Sequence, residues 1–243
     1  MAEETMRGDA SERAELVEEL VASAQARAGL YRMLASLYLA EIDDAGLERL
    51  AGANLKAVAQ ALDNDDMRTG YAAIADYLSR ADAGTRLDLK VDFACAILAA
   101  GSYEERMATP YESVFTSESG LLMQEARDDV YRLMCQAGLA VKEELREPED
   151  HLGFECEFMA KLADRQAQAL EEGDLDAALD SLRTQREMHA NHLLNWVDDY
   201  AACLEKVAKT GFYRGVAALT RGFVHEDEAF IADSLAAVEE LRG

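Results

Sequence analysis

Apolar residues recur every three or four positions along most of the chain, the spacing that lays them on one face of an α-helix. The first stripe is Leu16, Leu20, Ala24, Tyr31, Leu34 and Tyr38. It predicts a helix over about 11–39, with Ser11 as N-cap and Glu15 in the first turn, where the helix dipole favours a carboxylate. Asp43 and Asp44 open a second helix through Leu47, Leu50, Leu55, Val58 and Leu62. A polar run at 63–66 separates it from a third, carrying Tyr71, Ile74, Tyr77 and Leu78. Thr85 begins a fourth, with Leu89, Phe93, Ile97 and Leu98, stopped by Gly101. Pro110 pushes Thr109 away from helical geometry and marks a boundary. Beyond it the pattern predicts helices over about 121–138, 151–171, 175–207, 212–223 and 227–241, with breaks at Gly173 and Gly211. In the 121–138 helix, Leu122, Ala126, Val130, Leu133 and Met134 are expected to face inward. The stretch KEELREPEDH, residues 142–151, is the most polar after the N-terminus and holds Pro148. It reads as a hinge that divides one all-helical domain into lobes 1–141 and 152–243. The expected fold is an all-α bundle of eight to eleven helices with short connections.

Composition supports that class. Alanine and leucine number 75, against 24 for valine, isoleucine and threonine, so helix formers outweigh β-branched strand formers about three to one. A strand-rich sandwich or barrel is excluded on that ratio. Charge narrows the partners: 48 acidic against 24 basic residues give −24, the wrong sign for an extended nucleic-acid surface. The longest apolar run, 93–100, is far short of the roughly 18 residues of a membrane span. The first twenty residues lack the apolar stretch of a secretory signal. Cys95, Cys135, Cys156 and Cys203 are too widely spaced for a C-x-x-C metal or iron–sulfur site. Free thiols in a reducing cytoplasm are the expectation.

No phosphate-binding, dinucleotide-binding, nucleophile-elbow or H-E-x-x-H motif occurs, so neither an enzymatic activity nor a cofactor is expected. His189 and His192 form an H-x-x-H pair, and with His151 they give the alternative of a metal-handling chaperone or metalloprotein. The plainer reading is two partly buried imidazoles near Trp196. Glu155 and Glu157 lie at i,i+2, point apart on a helix and make a poor acid–base pair. Two segments do stand out. In 109–115, Pro110 is followed by Tyr111 and Phe115, four residues apart, beside Glu112 and Glu118. In 147–159, Pro148 is flanked by Glu147, Glu149, Asp150 and His151, and followed by Phe154, Phe158 and Met159. Asp150 is expected to cap the helix that follows. A rigid turn, an acidic rim and adjacent apolar side chains would suit a basic, partly apolar peptide.

These segments resemble the TorD/DmsD/NarJ family, chaperones for the maturation of molybdenum redox enzymes. The likeness is carried by Tyr111 and Phe115, by EPEDHLGFECEFMAKLA at 147–163, by HLLNWV at 192–197 and by FYRGVAALTRGF at 212–223. The resemblance implies an all-helical, TorD-like fold that binds the twin-arginine leader of a molybdopterin oxidoreductase. It also implies that the apo-enzyme is held until its cofactor is inserted. By motif, Pro148, Asp150 and His151 match the hinge residues associated with signal-peptide binding. Tyr111, Phe115, Glu147, Glu155 and Phe158 extend that set. The resemblance further implies a monomer or a domain-swapped homodimer. The chain has no Arg-Arg pair of its own, so it would read the signal and not bear it. Micromolar affinity needs about −8 kcal/mol. Exposed charge pairs contribute about 0–1 kcal/mol each. Two or three buried apolar anchors must therefore supply most of the affinity, at about 2 kcal/mol or more each.

Overall fold

The computed structural model describes residues 2–98, 100, 109–142, 145 and 147–243, with side chains from Ser11 onward. The expected stop at Gly101 and residues 143, 144 and 146 of the polar stretch lie outside the described residues. Eleven α-helices are present among the described residues: α1 (Ala2–Leu39), α2 (Asp44–Gly52), α3 (Leu55–Ala61), α4 (Asp65–Leu78), α5 (Thr85–Ala96), α6 (Glu112–Thr116), α7 (Glu125–Gln136), α8 (Leu152–Glu172), α9 (Leu175–Met188), α10 (Val197–Val207) and α11 (Gly211–Arg242). A π-helical turn at His189–Leu193 joins α9 to the approach of α10. The all-α class read from the sequence holds.

Capping sets several of the boundaries. Side chains of Asp43, Asn54, Asn64, Asp174 and Thr210 each accept a backbone N–H at the start of α2, α3, α4, α9 and α11. The Asn54 cap splits the single helix expected through 62 into α2 and α3. Helix α8 ends at Gly173, whose φ of +74° is the left-handed value that favours glycine at a helix end. The single helix expected over 175–207 is divided by the π turn into α9 and α10, and three other expectations changed. Helix α1 begins upstream of Ser11, so Ser11 is interior. Helix α7 starts at Glu125 because Met123 takes a left-handed φ of +61° and Gln124 N donates to Ser113 Oγ at 3.2 Å. Leu121 and Leu122, expected at or just inside that helix start, stay exposed. The two last expected helices are one, α11, since no glycine or proline interrupts 223–227.

The core is one hydrophobic cluster running from Leu20 in α1 to Leu241 in α11. Helix α1 packs chiefly along α8, and its predicted stripe is largely buried, with Tyr31 and Tyr38 reaching α11 and α10. Helix α4 lies against α11 almost backbone to backbone. A Cβ on Gly70 would come within 2.6 Å of Gly215 O, and one on Gly222 within 2.7 Å of Met67 N. Small residues there are what permits the approach. Between α1, α8, α9 and α11 sits a buried polar network. The Arg27 guanidinium pairs with both Asp227 oxygens and donates to Gln185 at 2.8 Å, and Tyr31 OH donates to Asp227 at 2.7 Å. Asp227, expected near a helix start, is instead an interior residue of α11 held by α1.

Candidate functional site

Residues 109–116 and 147–155 are joined by backbone before any side chain contributes. Glu112 N donates to Asp150 O at 3.0 Å and Leu152 N to Pro110 O at 2.8 Å, a single antiparallel bridge between Tyr111 and His151. Pro110 and Pro148 sit in this clasp, where irregular backbone leaves no helical donor to lose. Asp150 does not cap α8. Its carboxylate instead accepts Ser113 N at 2.9 Å and caps the short α6 across the clasp. The cap of α8 is His151, whose Nδ1 accepts Gly153 N at 3.0 Å. Gly153 is required at this point, since a Cβ there would meet Leu39 at 2.5 Å.

The predicted residues separate by depth. Asp150, His151, Glu155 and Phe158 are buried. Tyr111, Phe115 and Pro148 are half-buried, and Glu147 is exposed. Tyr111 OH donates to Glu147 at 2.6 Å, and its ring meets His151 edge-on with centroids 4.9 Å apart. Burial pushes the His151 imidazole down to about 4, so it is neutral at pH 7. Burial, then the nearby Glu112 and Asp150 charges, pushes the Glu155 carboxyl well above its ordinary range. Glu155 has no exposed surface and neither oxygen has a hydrogen-bond partner. Phe115 stacks on Trp196 at 5.4 Å and meets Tyr200 edge-on at 5.8 Å.

Glu112 is the hub that sequence reasoning left as one carboxylate among several. It is 2% exposed, receives His192 Nδ1 at 2.9 Å on one oxygen, and Asn195 Nδ2 at 2.7 Å on the other. The spacing H-x-x-N-W was the available signal, because three- and four-residue steps share a helix face. His192 is therefore a partner of Glu112. His189 lies in the same π turn but donates to Val224 O at 2.7 Å. Among the described residues no group of three or more His, Cys, Asp or Glu side chains is arranged to hold a metal.

Two openings flank α7. A polar cleft of about 610 Å³ lies between α6, α7 and the end of α9, with Glu112, His192 and Asn195 among its lining. An apolar groove of about 400 Å³ lies between the end of α7 and α8, walled by Met134, Leu139, Val141, Phe154 and Phe158, with Lys142 and Lys161 at its edge. Arg127 of α7 grips Glu149 with two hydrogen bonds, at 2.6 and 3.1 Å, and so ties the helix to the clasp. No described helix is long and apolar enough to cross a membrane.

Comparison with known proteins fits this arrangement. Residues 60–202 match the family described as nitrate reductase delta subunit. Proteins named chaperone protein TorD are similar over nearly their whole length. That of Vibrio parahaemolyticus is 28% identical over 218 residues, covering 88% of this chain and 99% of the relative. Those of Photobacterium profundum and Aliivibrio fischeri are 28% and 29% identical, covering 88% and 89% of this chain and 98% and 99% of the relatives. Three of the four segments that carried the resemblance meet in the clasp and its aromatic backing, and the matched region spans all of that clasp: the chain belongs to the TorD/DmsD/NarJ family, that of the nitrate reductase delta subunit.

Proposed function

We propose that this protein is a cytoplasmic chaperone that binds the twin-arginine leader of a molybdopterin oxidoreductase and holds the apo-enzyme for cofactor insertion before export. The family and the relatives' names support the coarser part, a chaperone in molybdoenzyme maturation. The observation that carries the finer part is the clasp. It fixes two openings of opposite character on either side of α7, one polar and acidic, one apolar. A leader that is basic at its start and apolar behind complements such a pair. The buried residues Asp150, His151 and Glu155 position the surface and do not touch the peptide. Tyr111, Glu147, Pro148 and the groove edge by Phe158 meet it, and Phe115 fixes the aromatic layer beneath. The polar segment 142–151 is the hinge, and exchange about it would re-form the α1–α8 contact between two copies.

The test is titration calorimetry with a synthetic leader peptide carrying an Arg-Arg pair ahead of an apolar run. Asp150→Ala with His151→Ala should weaken binding tenfold or more with helicity unchanged by circular dichroism. Tyr111→Phe, which removes only the bond to Glu147, is the milder companion and should weaken binding by a smaller factor. Unchanged binding in both variants would remove the clasp from the peptide site.

A further inference from the structure

Among the described residues, half of the exposed large apolar side chains crowd around one helix. Ten such side chains occur, and five of them, Leu121, Leu122, Met123, Tyr131 and Leu145, lie on α7 or just outside its ends. Single apolar residues scattered over a surface mean little, but a cluster on a chain of net charge −24 marks a contact. Their spacing is regular. Tyr131 stands at the middle of α7, with Leu122 nine residues before it and Ala140, in the wall of the apolar groove, nine residues after it.

The side chains ahead of α7 are held out by their backbone. Leu121, Leu122 and Met123 are 62%, 44% and 58% exposed. Leu121 N donates to Ser119 Oγ at 3.4 Å, and Gln124 Nε2 donates to Leu122 O at 2.8 Å. Met123 alone, among the described residues other than glycine, takes a left-handed φ. A residue with a Cβ adopts that value only when its surroundings impose it. Tyr131 is fixed as well, with the Arg127 guanidinium 5.1 Å from its ring centroid.

Charge matches the two ends of α7 to each other. Glu118 and Glu125 bracket the 121–123 loop in sequence. At the groove, Lys142 and Lys161 stand against one carboxylate, Glu157. Among the described residues neither the two glutamates of the loop nor the two lysines of the groove have an ion-pair partner. A two-fold axis beside Tyr131 lays α7 of one copy antiparallel to α7 of another. Loop and groove are equally far from Tyr131, so the same axis brings each loop to the other copy's groove. Apolar then meets apolar and glutamate meets lysine, twice over. An isologous contact of this kind closes on itself, giving a dimer and not a filament.

We infer that this face of α7 is a self-association surface, on which the 121–123 loop of each copy fills the apolar groove of the other. The contact is separate from exchange about the hinge, since both chains keep their own fold. Its consequence rests on the leader-binding reading: the groove holds either a second copy or the leader's apolar run, and the dimer is a resting form that the leader opens.

Sedimentation velocity on the full chain, over a wide range of concentration, tests the contact. The wild-type protein should form a dimer that dissociates on dilution and is weakened by salt. Leu122→Ser with Met123→Gly removes two apolar contacts at exposed positions, and glycine accepts the left-handed φ. It should raise the dimer dissociation constant about tenfold or more. Two charge variants sharpen the test. One carries Glu118→Lys with Glu125→Lys, the other Lys142→Glu with Lys161→Glu. Each alone should dimerise more weakly than the wild type. Mixed, they should form a heterodimer, because a basic loop then meets an acidic groove and an acidic loop a basic one. A wild-type protein that stays monomeric at every concentration would overturn the inference. So would a dimer that all three variants keep, which would assign association to the hinge. An excess of leader peptide, with Arg-Arg ahead of an apolar run, should convert the dimer to monomer. Peptide bound to an undissociated dimer would take the groove out of the contact. A peptide that binds neither form would remove the leader-binding reading and leave the dimer standing.

Discussion

Two buried polar clusters in this molecule are built on opposite principles. Around Arg27, four helices bring one cation, one carboxylate, a phenol and two amides together, and the charges balance within the cluster. Around Glu112, three carboxyl groups, Glu112, Asp150 and Glu155, meet two neutral donors and a histidine, and two of the three retain oxygens with no partner. The first cluster is closed and lies deep between α1 and α11. The second opens on a cleft. The ionised groups of the first cluster are paired within the fold, whereas the second holds a carboxyl, Glu155, that burial and neighbouring carboxylates keep protonated. Hydrogen bonding joins both clusters, but in the first the ionised groups are paired with each other and only the neutral Gln166 Nε2 is left over.

The comparison can be broken most sharply at Asp227. Asp227→Ala strands the Arg27 guanidinium, 4% exposed, and should cost about 3–5 kcal/mol in denaturant unfolding. Arg27→Met with Asp227→Leu should recover much of that loss, because replacing both charges removes the desolvation as well as the pairing. A cluster with no structural role would show neither effect.

Next in size is the acid response of His151. Its folded value of about 4 lies below the ordinary 6.5, so the unfolded chain binds the proton more readily. Stability is therefore whole above pH 6.5 and lost as pH falls toward 4, by about 3 kcal/mol at the limit. His151→Asn keeps an acceptor for Gly153 N and should flatten that part of the pH–stability curve. Urea unfolding at pH 4.5 and 7 measures it, and a slope unchanged in the variant would assign the acid loss to other groups.

The smallest expected effect is at Glu155. A buried carboxyl held protonated keeps its proton where the unfolded chain has released it, so it lowers stability as pH rises above about 4.5. Glu155→Gln should be near neutral at pH 5 and more stable than wild type at pH 8. The reverse order would mean that the ionised carboxylate is already paired in the free protein.

The helices were largely legible because one apolar face repeats at 3.6 residues, and the stripe of α1 is the face that is buried. What lay hidden depended on partners distant in sequence. Asp227 follows a polar run and looked like a helix start, because its partner Arg27 is 200 residues away. Asp150 had the spacing of a cap for α8, and only the clasp reveals that it caps α6 instead. His192 looked like half of a metal pair, because nothing local foretells the π turn that sends His189 and His192 to different partners. The candidate site was half legible. Its two proline-bearing segments could be picked out one by one. Their backbone pairing, and the hub at Glu112, exist only in three dimensions.

The Pro110–Leu152 and Glu112–Asp150 hydrogen bonds use main-chain atoms alone. The described residues from α6 to Pro148 are therefore an excursion pinned at its base by bonds indifferent to side-chain identity. That excursion supplies much of the cleft's wall and one side of the apolar groove, while α1, α8 and α11 hold the base still. Such an arrangement separates what must be kept from what is free to drift. On the proposed reading, substitutions at the exposed positions of this stretch would retune which leader is welcome, whereas Val130, Leu133 and Met134 belong to the core and must be kept. Grafting that stretch from one relative into another would test whether it sets the proposed client preference.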